Sequence, residues 1–161
     1  MTGPPDFGGD QVAKWKWLEA APWQDSRSPI LARIATALRT AALGDIERYC
    51  HLALALARDG IRFQIDSERV GREDLGHPLV ALFRGVDDCD AKSRLFVALC
   101  LLGGVPARMV PLWENGNLKH VYAAVLLNGK WYPAETTLSR ARLGDSPRSV
   151  PKERDGKWKR T

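Results

Sequence analysis

The dipeptide Asn128-Gly129, set between the apolar runs "KHVYAAVLL" and "KWYPAETT", constrains this chain more than any other feature. Asn-Gly suits a two-residue turn with left-handed φ at both positions, and the twist of that turn matches the strands on either side. An antiparallel hairpin follows, with Leu127 facing Lys130. Extending the register brings Tyr122 opposite Glu135 and His120 opposite Thr137. His120 and Glu135 then lie diagonally on one face, with Cα atoms roughly 7–8 Å apart, close enough for a carboxylate to reach an imidazole. A one-residue slip would send them to opposite faces.

The elements before the hairpin are helical. "SPILARIATALRTAALG" predicts a helix capped by Ser28, with Pro29 at its first position and Gly44 at its end. Leu31, Ile34, Ala35, Leu38 and Ala42 form its apolar face. Asp45 caps a second helix that runs to about Asp59, where Gly60 stops it. "IRFQI" is a candidate strand, and residues 66–84 read as loop with one helical turn at "PLVALF". A third helix begins near Cys89 and ends at Gly103-Gly104. Few charges follow Arg94, so this helix is expected to be buried on most sides. "VPARMVPLW" makes a further strand, joined to the hairpin by the polar turn "ENGN". Helices followed by a small antiparallel sheet give an α+β fold.

The 161-residue length fits one domain with one core. The expected division is an N-terminal arm at 1–25, a folded domain at 26–139 and a flexible basic tail at 140–161. In the arm, Trp15, Trp17 and Trp23 serve as packing anchors, although Trp15 and Trp17 cannot share a helical face. The net charge of +5 belongs to the tail, since the first 139 residues carry sixteen charges of each sign. That reads better as a solvated end than as a grip on phosphate, and nucleic acid is the weaker partner. No apolar stretch of 18 residues calls for a membrane, and the polar start does not read as a signal peptide. Three cysteines, an odd number, suggest a reducing cytoplasm rather than a disulfide framework.

Cys89 falls where a loop turns into a helix. Unpaired backbone N–H groups and the positive end of the helix dipole favour thiolate there, and Asp87 or Asp88 can cap the turn. The same amides could supply half of an oxyanion hole. A cysteine nucleophile also needs a base and a group to orient that base. The hairpin offers His120 and Glu135, and the helix of Cys89 is expected to pack against their face. Asp90 opposes a thiolate by charge repulsion, or else serves the helix N-terminus.

"GVDDCDAKSRLFVALCLLGGVPARMVPLW" and "HVYAAVLLNGKWYPAETT" together resemble the transglutaminase-like superfamily. The shared pattern is a Gly-Asp-Cys-like turn, an apolar helix, Gly-Val-Pro-Ala-Arg entering a strand, a His opening a strand, and a Trp with an acidic residue four positions on. The likeness runs from about Gly76 to Thr137. It implies a papain-like core, with the Cys-bearing helix on a small antiparallel sheet. It also implies Cys89 as nucleophile, His120 as general base and Glu135 as third member, with no metal or organic cofactor. Glu135 departs from the Asp usual in the family, and "GVDDC" departs from its turn. The implied chemistry is acyl transfer on a peptide or protein amide through a thioester. Water as acceptor gives a peptidase or amidase, and an amine gives a transglutaminase. Some members are non-catalytic scaffolds, for which the arm or the basic tail would dock a protein partner.

The remaining chemistry-bearing residues are less informative. No second oxyanion donor is assigned: Phe83, six before Cys89, cannot donate, which leaves Gln64, Gln24 and Trp23. Cys100 reads as core. Cys50 and His51 point apart and form no dyad, His77 reads as loop surface, Arg108 as structural, and Trp131 and Tyr132 as walls of a site or core.

Overall fold

The computed structural model describes residues 5–64 and 77–147. Much of the loop expected at 66–84, and the tail beyond residue 147, lie outside the described residues. In chain order the elements are α1 (Gln11–Asp25), α2 (Pro29–Ala41), α3 (Ile46–Asp59), β1 (Arg62–Phe63), α4 (Pro78–Arg84), β2 (Val86–Asp87), α5 (Cys89–Leu102), β3 (Ala107–Glu114), β4 (Asn117–Leu127) and β5 (Lys130–Ala134). The fold is α+β, as expected.

Local chemistry sets most boundaries. Ser28 caps α2 through Leu31 N–H with Pro29 at its start, and Asp45 caps α3 through Arg48 N–H. Such caps stabilise a helix by about 1 kcal/mol each. Segment 11–25, expected to lie in an N-terminal arm, forms the full helix α1, capped by Asp10 and including Pro22. Trp17 packs on Phe7, with ring centroids 6.2 Å apart, while Trp23 stays exposed.

Helix α5 is the centre of the molecule. Every residue from Asp90 to Cys100 is buried, with α1 to α4 packed on it as well as β3 and β4. The three-stranded sheet runs β3-β4-β5, all antiparallel. The hairpin register is as expected, Leu127 with Lys130 through Ala123 with Ala134. Pairing stops there, so Tyr122 and Glu135 are not joined by the ladder. A second, two-stranded sheet pairs β1 with β2 in parallel, Arg62 with Val86 and Phe63 with Asp87. It pins the segment that leads into α5. Gly85, at φ 69°, makes the left-handed turn from α4 into β2.

Candidate active site

The N-terminus of α5 is a tightly bonded acidic turn. Asp88 is the N-cap, its Oδ1 accepting from Asp90 N–H at 3.0 Å and Ala91 N–H at 3.4 Å. Asp87 holds Asp88 N–H in turn, at 2.9 Å. These bonds occupy two of the first-turn amides. Cys89 N–H makes no hydrogen bond among the described residues. Cys89 itself is half-buried, and its thiol donates to Asp90 Oδ1 at 3.6 Å. Burial pushes the thiol pKa well above its ordinary value. Asp90 and Asp88 push it further, the Val121 amide pulls it down, and Glu135 adds a smaller upward push. The helix dipole alone favours thiolate, but burial and the carboxylates outweigh it here.

That Val121 contact locates the thiol beside the residue that follows His120. His120 Nε2 lies 2.7 Å from Glu135 Oε2, and Glu135 is fully buried. In a neutral imidazole, Nε2 donating to that carboxylate would leave the lone pair on Nδ1. The other carboxylate oxygen, Oε1, accepts from Thr137 N–H at 2.9 Å and Thr137 Oγ at 2.8 Å. The carboxylate is thus fixed at both oxygens. His120 Nδ1 is buried without a hydrogen-bond partner among the described residues. Tyr122, two positions on, stacks against the imidazole with centroids 6.4 Å apart. Helix α5 and β4 pack together, with Val121, Ala123 and Val125 in the shared core, and the buried Glu135 is near enough to the thiol to act on it. Lys119 has no partner in the β3–β4 register, which shifts between Leu112 and Trp113, so this end of β4 is locally irregular.

The transglutaminase-like superfamily model matches residues 34–136. The chain belongs to the transglutaminase-like superfamily. No curated protein matches it significantly. The matched region holds Cys89, His120 and Glu135, and the α+β architecture around them is consistent with a transglutaminase-like core.

The other candidates of this transglutaminase-like domain separate cleanly. Gln64 N–H donates to Asp87 O at 2.9 Å, which sets Gln64 beside the Cys89 turn. Trp23 instead borders an apolar groove with Leu101, Val105, Ala107 and Trp131, at the far end of α5 from Cys89. Gln24 is exposed. Arg108 lies over the Trp131 ring at 4.4 Å. Cys50 and Cys100, both fully buried, lie beside each other between α3 and α5. His77 is not loose surface: it caps α4 through Leu79 N–H at 3.2 Å, and its Nε2 stands 3.6 Å from Asp25. Among the described residues, no group of three His, Cys, Asp or Glu side chains could hold a metal ion. No described helix is long and apolar enough to cross a membrane.

Sequence reasoning missed a set of buried charges on α1. Lys14 Nζ lies 3.5 Å from Asp90 Oδ2. Asp25 takes Arg94 in a two-pronged pair at 2.9 and 2.8 Å, and the guanidinium also covers Trp17 at 5.0 Å. The available signal was the set of charges within "CDAKSR", a helix start that otherwise reads as buried.

Proposed function

We propose that this protein is a cysteine-dependent enzyme that cleaves a peptide or protein amide through a thioester, with water as acceptor. Cys89 is the nucleophile, His120 the base and Glu135 the group that orients it. The observation that carries this reading is the fixed His120–Glu135 pair, whose second ring nitrogen is buried and unpartnered beside the strand position that meets the thiol.

The thiol proton passes from the Asp90 side to His120 Nδ1 as Cys89 turns toward the imidazole. The thiolate attacks the amide carbonyl, and Cys89 N–H holds the developing oxyanion. Gln64 is the side-chain amide best set to assist. The imidazolium then protonates the leaving amine. Water, deprotonated by the same nitrogen, attacks the thioester and releases the acid. Three free cysteines support a reducing compartment such as the cytoplasm.

The raised thiol pKa favours a second reading, a fold kept for binding without catalysis. Site-resolved alkylation across pH separates the two. In the enzyme, labelling of Cys89 at neutral pH outpaces a free thiol, and His120→Ala slows it by about a hundredfold, the low end of what a positioned base contributes. Labelling no faster than a free thiol, and indifferent to His120, leaves only the binding reading. Ammonia release from a glutamine peptide, with and without a primary amine, tells hydrolase from transferase.

A further inference from the structure

We propose that Lys14, on α1, is a positioning residue for the nucleophile: its ammonium fixes Asp90, and Asp90 governs how readily the Cys89 thiol releases its proton. The inference rests on the reading of Cys89 as nucleophile. Its observations are geometric. Lys14 Nζ, Asp90 and Cys89 Sγ form a continuous chain, 3.5 Å from ammonium to Oδ2 and 3.6 Å from Oδ1 to sulfur. Both charged side chains are nearly sealed, at 11% and 4% exposure. A lysine is seldom buried so far without a charge partner. Lys14 also lies outside the region shared with the family, residues 34–136. The matched region therefore receives this cation from a helix that precedes it in the chain.

The charges around the sulfur give the direction of the effect. Asp88 and Asp90 face it from its own helix and Glu135 from the end of the hairpin, where His120 is bonded to that carboxylate. Lys14 approaches from α1, behind Asp90. In a partly dry site these charges act with little screening. With Lys14 in place, Asp90 is drawn through Oδ2 to the ammonium and its field at the sulfur is partly cancelled. Without Lys14 the full carboxylate charge opposes the thiolate. Without the carboxylate, Lys14 has little to act through.

The test is the pH midpoint of Cys89 alkylation in the full chain, read by peptide mapping, with circular dichroism to follow folding. Asp90→Asn lowers the midpoint by about one unit, which is roughly tenfold faster labelling at neutral pH. Lys14→Met raises it, slowing labelling about threefold, and Lys14→Arg restores most of the rate. The double variant Lys14→Met with Asp90→Asn matches Asp90→Asn alone. A midpoint unmoved or lowered by Lys14→Met in a folded protein overturns the inference. So does a Lys14→Met shift that persists in the Asp90→Asn background. The midpoint is a property of the thiol whether or not the protein turns over a substrate. Loss of Lys14 dependence and loss of His120 dependence are therefore separate results, the first ending this inference and the second the nucleophile reading.

Discussion

Between Cys89 and Arg94, helix α5 buries Asp90, Lys92, Ser93 and Arg94; from Leu95 to Cys100 it buries only Leu, Phe, Val, Ala and Cys. Both stretches are equally inaccessible, yet they are held by different forces. In the first, each named polar side chain meets a partner from another part of the chain. Asp90 meets Lys14, Lys92 donates to Arg58 O at 2.8 Å and to Ile61 O, Ser93 donates to Val121 O at 3.2 Å, and Arg94 meets Asp25. The second is held by shape, with Tyr49 wedged against Gly103 and its hydroxyl donating to Leu99 O. A buried charge is tolerable only when paired, and pairing aims it. Polarity is concentrated at the end that carries Cys89, and close packing holds the helix from the other end.

Three substitutions sharpen this contrast. Asp25→Ala acts on the charged half and leaves Arg94 without its two-pronged partner. Breaking such a buried pair costs about 3–5 kcal/mol, seen as a lower denaturant midpoint, and the loosened α1 also shifts the Cys89 alkylation midpoint upward through Lys14. Gly103→Ala acts on the packed half. A methyl there would stand 2.3 Å from the Tyr49 ring. Overpacking of that kind costs roughly 1–3 kcal/mol, and the Cys89 midpoint should not move. A shifted midpoint in Gly103→Ala would mean that the two halves are not independent.

The smallest effect is a slope. Burial lowers the Lys92 pKa from 10.5 to about 8. Between those values the unfolded chain binds a proton that the folded chain has shed. Stability therefore rises with pH across the window from about 8 to 10.5, as the penalty for a buried ammonium is relieved. Lys92→Met should flatten that rise in urea titrations at several pH values. An unchanged slope would assign it to another group.

The sequence made the local half of this structure legible. Caps at Ser28 and Asp45 and the Asn128-Gly129 turn are decided by neighbours within a few residues, and each element appears where it was expected. The same register put His120 within reach of Glu135, and the bond is there at 2.7 Å. Ion pairs across 69 or more residues, such as Asp25 with Arg94, have no periodicity to betray them. Helix α1 was hard to read because its half-buried Trp15 and Trp17 point different ways and a proline, Pro22, falls inside it. The short β1–β2 pairing, two residues long, is too brief to leave a pattern.

The position of Thr137 has a practical consequence. A fragment trimmed to the family boundaries, residues 34–136, would keep Cys89, His120 and Glu135. It would discard Thr137, which supplies both bonds to Glu135 Oε1, along with Lys14 and Asp25. All three names of the proposed triad would survive the cut, but the scaffolding that aims them would not. Any minimal version used for screening should begin ahead of Asp10 and run past Thr137.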